Sequence, residues 1–181
     1  TINGKTDGAP QIVPVDGNGS GTGEATVHEA GLTSVGDSSE TTTGTITLSA
    51  ADGLTSIVVG GTTVTRAELS GLGTTPVTID TGEGTLTLTG YTSTGSVGGV
   101  TTGGTLSYSY TLKANQIQTG LTESSDTIAL TITDAGGGTS SGTLTVAIVD
   151  DVPTANADAN TVIEGTTAAA TWAQDAKDWT W

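Results

Sequence analysis

Short runs in which polar and apolar residues alternate recur along this chain, and they restrict its fold more than any other feature. The alternation is clear in residues 44–50, 105–112 and 126–133, where Thr and Ser are interleaved with Leu, Ile and Tyr. A period of two places every second side chain on the same face of a β-strand. Because no long amphipathic helix interrupts the runs, the pattern predicts an all-β fold, an Ig-like antiparallel β-sandwich of about seven to nine strands.

Turn residues separate the runs and define the predicted order of strands. Gly60-Gly61 lies between two alternating runs, as expected for a tight hairpin. Residues 67–73 form either one helical turn or a loop. The predicted strands are 24–30, 44–50, a hairpin over 55–66, a hairpin over 76–91 that turns at 81–84, 105–112, and a last hairpin of 126–133 with 141–149.

The charge of the chain excludes several classes of partner. Nineteen acidic residues face four Lys and Arg residues, which gives a formal net charge of -15. Phosphate binding needs clustered basic side chains, so neither nucleic acid nor an anionic membrane surface is an expected partner. Cations are the natural partners of such a chain. Disorder is the competing interpretation of a high charge, and the regular apolar alternation argues against it for the middle of the chain.

The residue types that most catalytic sites need are scarce. The chain has no Cys and one His, His28, so we expect no disulfide and no zinc site. No Gly-x-Ser-x-Gly motif marks a nucleophile. We therefore predict that the protein is not an enzyme. No segment has the apolar length of a membrane span, and the chain begins within a pattern, as expected of a piece of a longer protein.

An internal repeat divides the chain. The motif "DGAP" at residues 7–10 returns as "DDVP" at 150–153, and "TVHEAG" at 26–31 returns as "TVIEG" at 161–165. The two copies of the first motif are 143 residues apart, and a repeat of that length indicates tandem domains. The predicted organisation is the end of a preceding repeat and a linker over 1–23, one sandwich over 24–149, an acidic linker over 150–160, and the start of a next repeat or a Trp-rich tail over 161–181.

Several segments carry a resemblance to a known family. In order, they read "TINGKTDGAP", "TVHEAGL", "DGLTSIVVGGTTVT", "TPVTIDTGEGTLTLTGY", "LSYSYTL" and "SGTLTVAIVDDVPTANAD". Together they resemble the repeat of roughly 143 residues in giant type-1-secreted adhesins of the repeats-in-toxin (RTX) class, over about residues 1–165. The resemblance implies Ig-like or cadherin-like extender domains, chained on the surface of Gram-negative bacteria with calcium at their junctions. It ends at 166–181, where all three Trp residues appear.

Two adjacent aspartates, Asp150 and Asp151, follow the last predicted strand directly, and Pro153 then restrains the chain to an extended path. Adjacent carboxylates repel each other unless a cation lies between them. Calcium takes six to eight oxygen ligands with tolerant geometry. We therefore expect this pair to bind Ca²⁺ at the junction with the next repeat.

The topology of a sandwich assigns other acids to the opposite end. Asp134 lies in the turn of the last predicted hairpin, and that turn should stand where the chain enters the sandwich. We expect Asp7 and Asp16 of the incoming segment near it, together with Asp52. The alternative for each of these acids is a side chain that only solvates a loop.

Further acids are expected beside the aspartate pair. Glu123 or Asp126 should approach it from the loop before the penultimate strand, and Asp158 and Glu164 from the outgoing side. Glu29 is the counterpart of Glu164 in the repeat. The candidate calcium ligands are Asp7, Asp16, Glu29, Asp126, Asp134, Asp150, Asp151, Asp158 and Glu164.

The expected function is mechanical. The chain is predicted to be a calcium-stiffened spacer of a large secreted adhesin, which projects a binding domain from the bacterial cell in adhesion and biofilm formation. Its partners would be neighbouring repeats of the same chain, with other subunits reached through the termini as a second kind of partner. Two alternatives remain open: a fibre subunit joined by strand donation, and a carbohydrate-binding module that uses the loop 91–104.

Overall fold

Two β-sheets of five strands each pack face to face in a computed structural model that describes residues 8–18, 24–117 and 123–150. All of these residues belong to one compact unit, Thr1–Asp151. The structure confirms the predicted all-β sandwich, and its ten strands in the described residues slightly exceed the predicted number. Among the same residues no helix is long and apolar enough to cross a membrane.

The sheets are built from strands that are distant in sequence. The first sheet has the order β1-β3-β8-β7-β6, and the second has the order β2-β10-β9-β4-β5. The elements are β1 (Gln11–Val15), β2 (Ala25–His28), α1 (Ala30–Thr33), β3 (Thr41–Ser49), β4 (Leu54–Val59), β5 (Thr62–Thr65), α2 (Arg66–Gly71), β6 (Val77–Asp80), β7 (Gly84–Val97), β8 (Val100–Leu112), β9 (Ser124–Asp134) and β10 (Thr139–Val149).

Strand β1 lies in the segment that was predicted to be a linker. It pairs antiparallel with β3 and forms one edge of the first sheet. Pro14 weakens the sequence signal, because proline lacks the N–H that a central strand needs and is tolerated at an edge. The region 1–23 therefore contributes a strand to the sandwich.

One pair of strands is parallel, which departs from a purely antiparallel sandwich. Strand β2 runs parallel to β10, from Ala25 beside Val146 to His28 beside Val149. Within the second sheet, the strand that comes first in the sequence, β2, thus lies beside the strand that comes last, β10. Glu29 follows β2 directly, so this pairing places it at the end of β10, where its N–H donates to the carbonyl of Val149 at 3.0 Å.

The predicted loop 91–104 is instead the far end of a long hairpin. Strands β7 and β8 pair along this stretch and turn at Gly98-Gly99, which have positive φ angles of 59° and 80°. Such a pair suits a two-residue hairpin turn. The outer arms are rich in Gly, Ser and Thr, and the β7 arm is exposed from Thr92 to Val97, so this stretch lacks the apolar alternation that reveals a strand in sequence.

The residues predicted as a helical turn or a loop form the short helix α2. Thr65 begins it with a capping box, in which its hydroxyl accepts from the N–H of Glu68 and the Glu68 carboxylate accepts from the N–H of Thr65. These bonds satisfy N–H groups that have no partner inside the helix. Leu69 turns inward and joins the core.

The core between the sheets includes two tyrosines as well as aliphatic side chains. Tyr108 and Tyr110 are both buried on the inner face of β8, as the alternation predicts. Their rings lie over glycines of neighbouring strands: a Cβ at Gly44 would overlap the hydroxyl of Tyr108, and one at Gly84 would overlap that of Tyr110. Tyrosine therefore fills the space that these glycines leave, which fixes the register of β3 and β7 against β8.

Candidate metal centres

The β9–β10 hairpin spans the sandwich and defines its two ends. Its turn, residues 135–138, lies beside Gly8 and Ala9, and we call this end the N-terminal pole. At its other end Ser124 stands opposite Ile148, just before Asp150, and we call this end the C-terminal pole. The candidate calcium ligands can be placed against these two poles.

Two carboxylates face the same space at the N-terminal pole. Asp52, from the turn between β3 and β4, and Asp134, at the end of β9, line a cavity of about 210 Å³ together with Gly8 and Ala9. A Cβ at Gly136 would stand 3.1 Å from Oδ2 of Asp52 and 3.4 Å from Oδ1 of Asp134, so both side chains approach this glycine. Like charges at such a place favour a bound cation.

Local hydrogen bonds explain how Asp134 is held. Its side chain is 4% exposed, and its Oδ1 accepts from the N–H of Gly138 at 2.6 Å, while its own N–H donates to the carbonyl of Gly138. The carboxylate is thus fixed by the hairpin turn before any ion binds. Asp7 directly precedes the lining residue Gly8, and Asp7 itself lies outside the described residues.

The C-terminal pole gathers acids around the end of β10. The N–H of Asp150 donates to Oε2 of Glu123 at 3.0 Å, and Glu123 is one of the two alternatives, Glu123 or Asp126, that the topology predicted as neighbours. Glu29 is 1% exposed, and its Oε1 accepts from the N–H of Gln116 at 2.6 Å. Asp151, Asp158 and Glu164 lie outside the described residues.

Asp126 was predicted as an alternative to Glu123 beside Asp150, but its carboxylate contacts Tyr110 and Thr81 instead. It is buried between the sheets, where Oδ2 accepts from the hydroxyls of Tyr110 at 2.8 Å and Thr81 at 2.5 Å. Tyr110 and Thr81 belong to the first sheet and its connections, whereas Asp126 is in β9 of the second. This carboxylate therefore links the two sheets, and burial together with its hydrogen bond raises the pKa of Tyr110.

Asp16 does not lie with Asp134 at the N-terminal pole. Strand β1 carries the chain away from that pole by five residues, at about 3.3 Å each. Asp16 lies instead near Glu24 and Tyr108. Burial raises the pKa of Tyr108 to about 12, and the negative charges of Glu24 and Asp16 make smaller contributions. Asp16 was predicted at the N-terminal pole because residues 1–23 were predicted to be a linker, whereas they contain strand β1 directly before Asp16.

The two buried tyrosines give a matched test of the core. The Tyr108 hydroxyl has no hydrogen-bond partner among the described residues, whereas that of Tyr110 donates to Asp126. Tyr110→Phe is expected to lower the free energy of unfolding by about 1.5–3 kcal/mol, because it removes a buried bond to a carboxylate, and Tyr108→Phe by much less. Urea denaturation of the two variants measures the difference, and equal losses would contradict these roles.

Among the described residues, no three or more His, Cys, Asp or Glu side chains form a metal-binding group. This finding does not bear on calcium, because calcium also takes backbone carbonyls and waters. Asp52 was predicted near Asp134 at the N-terminal pole, and the structure places both acids in the lining of one cavity. Its signal was an Asp-Gly turn between two strands, which topology assigns to the same end as the β9–β10 turn.

Comparisons with protein-family models, with curated proteins and with solved structures found no match to this chain. The resemblance to adhesin repeats accordingly remains a prediction from the quoted segments.

Proposed function

We propose that this chain is a calcium-stiffened spacer repeat of a large secreted adhesin on the bacterial cell surface. The observation that carries the proposal is the path of the chain. Residues 8–9 lie at the N-terminal pole, and Asp150 lies at the C-terminal pole, at the other end of the β9–β10 hairpin. An eleven-residue strand such as β10 is roughly 35 Å long, so each repeat in a row would add about this length.

The acids at the two poles support a role for calcium. In a row of repeats, Asp150 of one repeat would approach the N-terminal pole of the next, where Asp52 and Asp134 share a cavity. Carboxylates from both bodies would repel each other in a chain that already carries a charge of -15. A divalent cation between them removes the repulsion and holds oxygen atoms of both bodies at about 2.3–2.6 Å.

Small-angle scattering of a protein that carries the sandwich twice, joined through the native segment 150–160, tests this role. In chelator the joint is expected to bend freely. In calcium the maximum dimension is expected to rise towards about 70 Å, twice the length of one strand β10. The double variant Asp150→Asn, Asp151→Ser should lose this lengthening.

A second double variant, Asp37→Asn with Glu83→Gln, is the matched control. It removes the same charge from two exposed loop acids and should lengthen in calcium as the parent does. Melting curves establish that each sandwich remains folded. An unchanged calcium response in the Asp150 and Asp151 variant would contradict the proposal, and a mass of many subunits would favour the fibre subunit instead.

A further inference from the structure

We propose that a second cavity, separate from the one that Asp52 and Asp134 line, binds a sugar that carries a carboxylate. The cavity lies between α2 and the outer arms of β7 and β8, and its volume is about 650 Å³. That volume falls within the range of about 300–1,000 Å³ that is typical of small-molecule sites. The inference is independent of the spacer role, because none of the candidate calcium ligands lines this cavity. Its main lining groups are Arg66, Tyr91, Thr55, Ser70, Ser93 and Thr101.

The wall formed by the hairpin is rigid before a ligand arrives. The Tyr91 hydroxyl donates to the carbonyl of Gly103 at 2.7 Å and lies 2.9 Å from Oγ1 of Thr101. Ser93 Oγ lies 2.8 Å from the same Thr101 oxygen. The Tyr91 ring also lies over Gly104, where a Cβ would stand 2.7 Å from the ring. Such preorganisation lowers the entropy that a ligand loses on binding.

The chemistry of this wall suits a sugar. Several hydroxyl groups stand beside one aromatic ring, and a hydroxyl both donates and accepts hydrogen bonds, as the hydroxyls of a sugar do. Tyr91 is half-buried, so part of its ring is available to the cavity. An aromatic surface with a few placed polar groups is the usual composition of a small-molecule site.

Arg66 adds selectivity for a carboxylate. The described residues contain two basic side chains, and Lys113 forms an ion pair with Asp80. Arg66 makes no ion pair or hydrogen bond with any described residue. The guanidinium group matches a carboxylate with two parallel hydrogen bonds.

Glu68, the acidic residue of α2, does not form an ion pair with Arg66. The carboxylate of Glu68 accepts from the N–H and the hydroxyl of Thr65, both at 2.7 Å, and these bonds lower its pKa. Glu68 is thus committed to the helix cap. A phosphate dianion is a poorer candidate than a carboxylate, because one arginine would face two charges within a strongly acidic protein.

The test compares D-glucuronate with D-glucose, which differ in a carboxylate and a hydroxymethyl group at one carbon. NMR titrations in chelator, without calcium, should shift the amide signals of α2 and of residues 91–101. Glucuronate is expected to bind about tenfold more tightly than glucose, which is the effect of a charge-assisted hydrogen bond. Inorganic phosphate is a third probe.

Arg66→Met should abolish the preference for glucuronate, so that glucuronate and glucose bind with similar affinity. Lys113→Met removes the same charge at the other end of β8 and should keep the preference. The proposal is overturned if neither sugar shifts these signals, if Arg66→Met keeps the preference, or if phosphate binds more tightly than glucuronate. Arg66 is exposed, so its replacement leaves the core intact.

Discussion

Gly84→Val is expected to lower the free energy of unfolding by about 2–3 kcal/mol, although valine favours strands and glycine does not. The Tyr110 ring occupies the place where the new Cβ would stand. Valine would therefore displace the ring from the core and separate its hydroxyl from Asp126. Overpacking of a closed core is costly because neighbouring side chains must leave their preferred rotamers.

Gly90→Val in the same strand is the matched control. A Cβ at Gly90 would meet no atom within 4 Å, and the residue does not have a positive φ angle. Valine there is expected to leave stability unchanged or to raise it, because the substitution improves strand propensity. Urea denaturation measures both variants. Similar losses at Gly84 and Gly90 would show that valine destabilises β7 without regard to the tyrosine.

A double-mutant cycle separates the clash with Tyr110 from other causes of the destabilisation by Gly84→Val. Tyr110→Leu removes the end of the ring that lies over Gly84, so Gly84→Val should cost less in that background than in the parent. The expected interaction energy is at least about 1 kcal/mol, within the range of residues in direct contact. Additive effects of the two substitutions would contradict the packing of Tyr110 over Gly84.

Calcium is expected to raise the melting temperature of this protein by roughly 5–10 °C. Binding to the folded state alone stabilises it by about 2.7 kcal/mol at a hundredfold excess over the dissociation constant. For a chain of this size each kcal/mol shifts the melting temperature by about 2–4 °C. Differential scanning calorimetry in calcium and in chelator measures the shift.

Substitution of the two acids at the N-terminal pole tests whether calcium binds there. Asp52→Asn with Asp134→Asn removes both carboxylates from the small cavity, and each asparagine keeps one oxygen, so the hydrogen bond from Gly138 to residue 134 is retained. The variant should lose a large part of the calcium shift. Asp37→Asn with Glu83→Gln removes the same charge elsewhere and should keep the shift.

Magnesium separates a calcium site from general neutralisation of the acidic chain. Both ions carry the same charge, but magnesium demands a near-octahedral shell and gives up water reluctantly. An equal shift in magnesium and calcium would mean that the ions only screen repulsion among the acids. No shift in either ion would contradict the calcium proposal for this protein.

The alternation in sequence was sufficient to predict most strands and the sandwich. It placed Tyr108 and Tyr110 on one face of a strand, because a period of two is a local property of a strand, and the structure shows that this face is buried. The predicted order of strands also placed Glu123 or Asp126 near Asp150, since these residues flank one hairpin, and Glu123 is the acid that accepts from the N–H of Asp150. Both inferences depend only on residues that the β9–β10 hairpin or a single strand brings together.

Strand pairing across the sheets was not visible in the sequence. Strand β1 contains Pro14 and depends on its pairing with β3, so it was assigned to a linker, and Asp16 was placed at the wrong end of the sandwich as a result. The parallel pairing of β2 with β10 joins segments more than a hundred residues apart. Local patterns do not determine such partners, because the burial of whole sheet faces decides which strands meet.

The same limit applied to both sites. Asp52 and Asp134 share a cavity because β4 pairs with β9, whereas the sequence placed both acids at one end of the sandwich without showing that they face the same space. Arg66 and Tyr91 come together because α2 packs against β7, while the outer arms of β7 and β8 carry no apolar pattern. The sequence alone determined most of the strands, though not β1, and the acidic character of the protein. Tertiary packing decided which side chains share a cavity, because that depends on strand order and register between segments distant in the chain.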